Sequence, residues 1–332
     1  MELTLVLIGL SGVVAAATPV LVAVLGETIT ERAGIINLSL NGMILISAMG
    51  GFVVAYSTGS LVLGFLTGMA IGVLMAFIVA FSSIDLHQSQ VAVGFVLALL
   101  GRDLSYFIGV PFMNTPGPSL SNLPIPLLKD IPVLGVLFFR HDLITYISIV
   151  LILVVWVWLY RTRPGLMLRG IGERPAAAFV RGANVNRLRY LYTLLGGAMV
   201  GLAGPAYSLN VKPGWMGTQT GLDGIGWIAL AITIFGAWDP LRGAFGVYLF
   251  ALLQWLGIVL QPSLPGVPSQ VLQVAPFPLM IMALLLVNIG STEWVARTLA
   301  ALPDSTRLFI TRVLRSLRAS PPAALGLPFE QE

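Results

Sequence analysis

Long apolar runs separated by short polar breaks recur along almost the entire chain. Crossing a hydrocarbon core of ~30 Å takes roughly 20 mostly apolar residues in a helix. Runs of that kind lie at about 3–25, 36–57, 60–81, 90–110, 142–160, 190–210, 222–236, 241–260 and 270–289. The pattern predicts an all-α integral membrane protein, a polytopic bundle of about nine transmembrane helices, with eight or ten as the neighbouring counts. The seventh run is short, from Leu222 to Gly236. At ~1.5 Å per residue it reaches only about 22 Å, so a half-helix or re-entrant segment is expected there.

The polar breaks divide the chain into a membrane-spanning region, 1–290, and a tail, 291–332. The largest break at one side is 111–141, whose six prolines forbid a continuous helix and predict a surface loop with at most one short interfacial helix. The break at 161–189 is of another kind, because seven arginines crowd into it. Lys and Arg gather on the cytoplasmic side of membrane proteins. With 161–189 placed inside, alternation puts 14 of the 18 basic residues on that side and predicts an outside N-terminus and a cytoplasmic C-terminus. The tail mixes arginines with apolar positions in TRLFITRVLRSLRAS, as an amphipathic segment on the inner membrane surface would. The final SPPAALGLPFEQE reads as disordered.

Composition narrows the chemistry. At 57% hydrophobic and 10% charged residues the chain departs from a soluble domain, near ~45–50% and ~25%. It has no cysteine and only two histidines, His87 and His141, so neither a disulfide nor a multi-histidine metal site is expected. An isoelectric point near 9.6 suggests an anionic partner. The placement of the arginines selects anionic membrane lipid over nucleic acid. A phosphate-binding loop needs a lysine followed by Ser or Thr. The only lysines here, Lys129 and Lys212, precede Asp and Pro, so the chain is expected to bind no cofactor and to carry no ATPase site. Energy would then come from an ion gradient or from another subunit. Ion-coupled carriers place acids in their spans. Here the clear intramembrane charges are Arg102 and Asp103 alone, which disfavours that route.

Two sets of residues stand out. In 172–182, Glu173 precedes Pro175 in a first helical turn and Gly182 suits the stop, which predicts a helix of about two turns with small Ala176 and Ala177 on its surface. Gly172, Glu173, Arg174, Pro175, Ala176, Ala177, Arg181 and Gly182 are its candidate docking residues. The bland reading is a mere connector between spans. The second set is polar or aromatic: Asn37, Asn41, Gln88, Gln90, Asn210, Trp215, Gln219 and Trp227. An amide in hydrocarbon must find a partner, so each either bonds a neighbouring helix or lines a wet path for a neutral polar solute. Gly64, Gly68 and Gly72, and Gly197 with Gly201, are spaced for close helix packing.

Several segments together carry a family likeness. ITERAGIINLSLNGMILISAMGGF, following Gly26-Glu27, resembles the second-span signature of the bacterial ABC importer permeases for branched-chain amino acids, simple sugars and nucleosides. RTRPGLMLRGIGERPAAAFVRGANVNRLRYLYTLLGGAMVGLAGPAYSL is similar to that family's coupling segment and the helix after it. PLLKDIPVLGVLFF, IFGAWDPLRGAF and GVPSQVLQVAPFPLMIMALLL resemble the nucleoside-type branch. One departure is Asn41, where the family commonly has Glu. The resemblance implies an importer in a bacterial or archaeal cell membrane, built from two permease chains, two ATPase subunits that hold ATP and magnesium, and an extracytoplasmic solute-binding lipoprotein. Residues 172–182 would then be the coupling helix, and nucleosides the expected solute, with simple sugars or branched-chain amino acids as alternatives. An ion-coupled carrier and a non-transporting scaffold are the rival classes.

Overall fold

A computed structural model describes residues 3–263 and 320–329, with a few isolated positions between them. Eleven α-helices occur in this part: α1 (Leu3–Arg32), α2 (Leu40–Thr58), α3 (Leu61–Ile84), α4 (Gln90–Gly109), α5 (Leu134–Phe138), α6 (Leu143–Arg161), α7 (Arg163–Glu173), α8 (Pro175–Val180), α9 (Val185–Ala206), α10 (Ile225–Phe235) and α11 (Pro240–Leu260). Seven stretches are long and apolar enough to cross a membrane, namely Leu5–Arg32, Leu40–Thr58, Leu61–Ile84, Gln90–Phe112, Leu143–Arg161, Val185–Val211 and Pro240–Ser263. They match seven of the expected nine. The span expected at 222–236 is the 11-residue α10, too short to cross by itself. The one expected at 270–289 lies outside the described residues.

Most of these helices start on a residue that satisfies the free N–H groups of a first turn, which lipid cannot do. Asp142 accepts from Thr145 N at 2.9 Å, Asn184 from Arg187 N at 3.0 Å, and Asp239 from Leu241 N and Arg242 N at 3.0 and 3.1 Å. Ser60 and Ser89 cap α3 and α4 in the same way.

Glycine decides how closely the helices approach. α9 packs most extensively on α3 and α1. A Cβ on Gly72 would lie 2.7 Å from Gly201 Cα and 2.8 Å from its nitrogen, and one on Gly68 would lie 2.7 Å from Gly201 O. Gly68 and Gly72 therefore face Gly197 and Gly201, backbone against backbone, while Gly64 meets Gly51 O of α2. Gly26 on α1 meets Val200 N at 3.2 Å by the same measure. Along α1, a hydroxyl ladder ties Thr18 to Thr145 at 3.2 Å and to Ser148 of α6 at 3.4 Å.

α1 continues seven residues beyond its expected end and buries Glu27 and Glu31. This corrects the expectation that Arg102 and Asp103 are the only clear intramembrane charges. Glu31 accepts a hydrogen bond from Trp238 Nε1. At the end of α1, Arg32 donates from Nε to Trp238 O at 3.0 Å and from Nη2 to Ala237 O at 3.2 Å, and pairs with Glu173 at 3.8 Å. One side chain thus joins α1, the stretch after α10, and α7.

Two expectations about polar segments are refined. The loop 111–141 contains only the five-residue α5 and short 3-10 turns, as its prolines require. The end of the tail is not disordered, because residues 320–329 form a turn seated on α1, α7 and α9, with Pro322 and Ala324 buried.

If the glycine seam sets helix spacing, Gly72→Val should lower stability by ~1–3 kcal/mol, the usual cost of overpacking. Gly12→Ala, whose added carbon meets nothing within 4 Å, should leave it unchanged. Thermal unfolding of the purified chain in detergent reads the difference, and equal midpoints would remove the seam from the explanation.

Candidate functional site

Two breaks in the helical backbone meet beside α4. The first is Ala33–Ser39, between α1 and α2. The second is the non-helical run that leads to α10 and ends at Gly224. A Cβ on Gly226 would lie 2.7 Å from Leu40 C, so α10 starts directly against the start of α2. Gly42 and Gly101 let α2 close on α4 at the same level, with Gly101 2.9 Å from Gly42 C by the same test.

Asn41 and Asp223 form the centre of the site. Asn41 Nδ2 donates to Asp223 Oδ1 at 2.8 Å, and Asn41 Oδ1 accepts from Gly224 N at 2.8 Å. Both ends of the amide are used, which fixes the side chain across the gap between α2 and α10. Asp223 Oδ2 accepts from Arg102 Nε at 2.8 Å and from Tyr106 OH at 3.1 Å. Arg102 also pairs with Asp103 at 3.7 Å and lies 5.6 Å from the Tyr106 ring centre. Asp223 therefore takes donors from α2 and α4 together, from Asn41, Arg102 and Tyr106.

Trp215 lies next to this cluster. Its indole is buried, tilted against Tyr106 at 6.3 Å between ring centres, and its Nε1 has no hydrogen-bond partner in the described residues. Gly109 of α4 makes room for it, since a Cβ there would sit 2.8 Å from indole Cε2. Asn114 N donates to Trp215 O at 2.9 Å, and a cavity of about 270 Å³ opens between 114–116 and 213–216.

The other polar candidates do not join this cluster. Gln90 is buried and its Oε1 accepts from Ile36 N at 2.8 Å. Asn37 is buried and its Oδ1 accepts from Ser39 N at 3.1 Å. Both hold the first backbone break in shape. Gln88 is exposed and donates to Leu86 O at 2.8 Å in the turn between α3 and α4. Asn210 is half-buried in a π-helical turn, Tyr207–Val211, and Gln219 is exposed in a 3-10 turn. Trp227 faces outward beside Phe95, 6.2 Å between ring centres. Of the eight, Asn41 and Trp215 are brought together, bridged by Tyr106 and Asp223, which the sequence reading missed. The available signal for Asp223 was an acid set between glycines just before an apolar run, GLDGIG.

The central loop holds two helices. α7 was not expected; Thr162 caps it, accepting from Gly165 N at 3.2 Å, and Pro164 opens it. α8 begins at Pro175, and Gly182 has φ +88, as the stop signal required. Ala176, Ala177 and Arg181 are exposed. Gly172 and Glu173 belong to the end of α7, and Arg174 is the joint between the helices. Gly172 is buried against Arg32 O, where a Cβ has no space. Glu173 pairs with Arg32 rather than serving the start of α8.

A multi-helix membrane bundle with a polar cluster set deep among its spans and a helical arginine-rich loop at one end is the architecture of a permease. The chain belongs to the family described as branched-chain amino acid transport system / permease component, which it matches over residues 9–289, and it is an ABC transporter permease. It is 39% identical over 267 residues to a "Putative glucose ABC transporter permease protein" of Haloferax volcanii, covering 77% of this chain and 80% of the relative. It is 32% identical over 283 residues to a nucleoside ABC transporter permease protein of Lactococcus lactis, covering 81% and 89%. A guanosine ABC transporter permease protein of Bacillus subtilis is also 32% identical over 283 residues, covering 81% and 88%. No solved structure matches the chain.

Asn41→Asp tests the cluster. A carboxylate there would face Asp223 and lose the donor that bridges them. Uptake by the assembled transporter should fall about tenfold at neutral pH, the scale of a lost charged hydrogen bond. The protonated acid would again carry a donor, so the deficit should shrink as pH falls. A loss of uptake independent of pH would remove Asn41 from the path.

Proposed function

We propose that this chain forms, with a second permease subunit, the path of an ABC importer for a neutral polar solute, nucleosides first. The observation that carries this reading is the position of the Arg102–Asp223 pair. Arg102 lies twelve residues into α4, about 18 Å along its axis at ~1.5 Å per residue, deep within a span. Yet the two side chains keep 41% and 34% of their surface exposed. Charges at that depth facing lipid are costly, so such groups face a partner helix or a water-filled path. A second permease chain against the flank of α4 supplies both. Tyr106 and Trp215 offer flat faces and Asn41 and Gly224 a polar seam, which suits a solute with a ring and hydroxyls. An amino-acid zwitterion needs both of its charges answered, and here the Arg102 charge is already taken up by Asp223. Likeness to nucleoside and guanosine permeases supports the first choice; the greater identity to the Haloferax protein favours a simple sugar as the second reading.

The arginine-rich end is the cytoplasmic end in this proposal, with the N-terminus outside and the C-terminus inside. α8 with its flanks, 172–182, rests on an ABC ATPase subunit, where ATP and magnesium are bound. An extracytoplasmic lipoprotein delivers the solute at the opposite end. ATP favours the closed ATPase dimer, and the paired permeases switch as rigid bodies between outward and inward states.

Two measurements test this. A cysteine introduced at Ala178 should resist impermeant thiol reagents in intact cells while one at Ser121 reacts; the reverse pattern overturns the orientation. Ala177→Trp should leave membrane insertion intact and sharply reduce solute-stimulated ATP hydrolysis, since misfit at a packed surface costs ~1–3 kcal/mol. Normal transport by that variant would make α8 a plain connector. For the solute, the reconstituted transporter is expected to move nucleosides; movement of branched-chain amino acids but neither nucleosides nor sugars refutes the assignment.

A further inference from the structure

The segment Ser320–Phe329 returns from the far end of the chain to the helices that enter and leave the arginine-rich loop. Ala323 N donates to Glu173 Oε2 at 3.2 Å and Ala324 N to Gly172 O at 2.9 Å, so the end of α7 is held twice. Gly326 N donates to Gly34 O at 2.9 Å, just past α1. Leu327 O accepts from Arg189 Nη1 at 3.0 Å, on α9. Arg189 is a buried cation whose Nε and Nη2 have no hydrogen-bond partner among the described residues, so the tail carbonyl is a large part of what answers its charge. The tail is itself shaped for the seat. Leu325 N donates to Pro322 O at 3.0 Å and Leu327 N to Ala324 O at 3.2 Å, with Gly326 at φ +75 closing the turn.

The last contact reaches α8. Phe329 packs on Phe179 edge to face, 6.0 Å between ring centres at 64°. α8 has six residues, far below the length at which a helix holds itself in water. Its position must therefore come from what it is packed against. The tail grips the end of the helix before α8, the start region of the helix after it, and α8 itself.

We propose that Ser320–Phe329 is a clamp that sets the pose of α8 and completes the surface on which the ATPase subunit docks. The partner follows from continuity with α8: Leu327 and Pro328, both exposed, extend the apolar surface begun by Phe179 and by Val180, which is 86% exposed. This rests on the coupling role given to α8 above. Residues 320–329 add no reach into the membrane path, so their contribution is to the pose and extent of the docking surface.

The test uses the complete transporter in vesicles. Phe329→Ala removes the ring, and Gly326→Val undocks the turn independently, since a Cβ there strains the positive φ and falls 2.7 Å from Ile36 Cδ1. Both variants should insert normally, and Phe329→Ala, which leaves the Arg189–Leu327 bond in place, should keep the thermal midpoint of the bundle. Solute-stimulated ATP hydrolysis should drop roughly 2–10-fold, the scale of one lost aromatic pair, while unstimulated hydrolysis stays the same. Amide exchange should rise across 172–183 and nowhere in α3 or α9. Phe329→Tyr should restore coupling. Wild-type stimulation in Phe329→Ala, or unchanged exchange across 172–183, overturns the clamp. If Ala177→Trp uncouples and Phe329→Ala does not, the clamp alone fails; if Ala177→Trp transports normally, the coupling reading fails first.

Discussion

Backbone-to-backbone packing around α9 is the constraint on which the rest of the molecule depends. Gly196 faces α1, Gly197 and Gly201 face α3, and Gly204 faces Ala48 N of α2 at a distance where a Cβ has no room. In a bilayer the apolar side chains gain little by leaving lipid for protein. Association must come instead from close van der Waals contact and interhelical hydrogen bonds. Small residues on one helix therefore determine the spacing of three others. Since α9 also starts at the arginine-rich loop, the most tightly packed helix of the core is the one that leads directly out of the loop.

That rigidity frames the two broken segments. Non-helical backbone is tolerated at membrane depth only where protein or water satisfies it. Ala33–Ser39 is satisfied by Gln90 and Asn37, and the start of α10 by Asn41. The amides that sequence reasoning treated as a single class thus divide into two kinds. Gln90 and Asn37 are internal supports of a bend. Asn41 both supports a bend and meets the Asp223–Arg102 pair. A carboxylate at that position would lack the donor that reaches Asp223.

Much of the bundle was legible in the sequence because hydrocarbon imposes a minimum length on an apolar run, and seven helices among the described residues meet it. The glycine stripes and the stop at Gly182 were legible for a similar reason, as each depends on one residue type at a fixed spacing. What escaped depends on partners far apart in the chain. Arg102 has a neighbour of opposite charge in Asp103, yet it bonds Asp223 at the shorter distance, and nothing local announces that choice. Glu27 and Glu31 fall beyond the apolar run expected to end at 25, but α1 continues to Arg32, and Trp238 donates to Glu31 from far along the chain. The tail PPAALGLPF has no helical or strand period, so its order comes from its own turn and from its seat, where Gly172, Glu173, Gly34, Arg189 and the Phe179 ring hold it.

The joint at Arg32 has a mechanical consequence. α10 is an 11-residue rod, about 16 Å long at ~1.5 Å per residue. Beyond its far end the guanidinium of Arg32 fastens two carbonyls, and its near end rests on α2 with Asp223 just ahead of it. Because the same guanidinium also holds Glu173, the arginine-rich loop and the rod share one anchor. A helix this short does not bend, so the Arg32 anchor at one end and the seat on α2 at the other together fix where Asp223 stands.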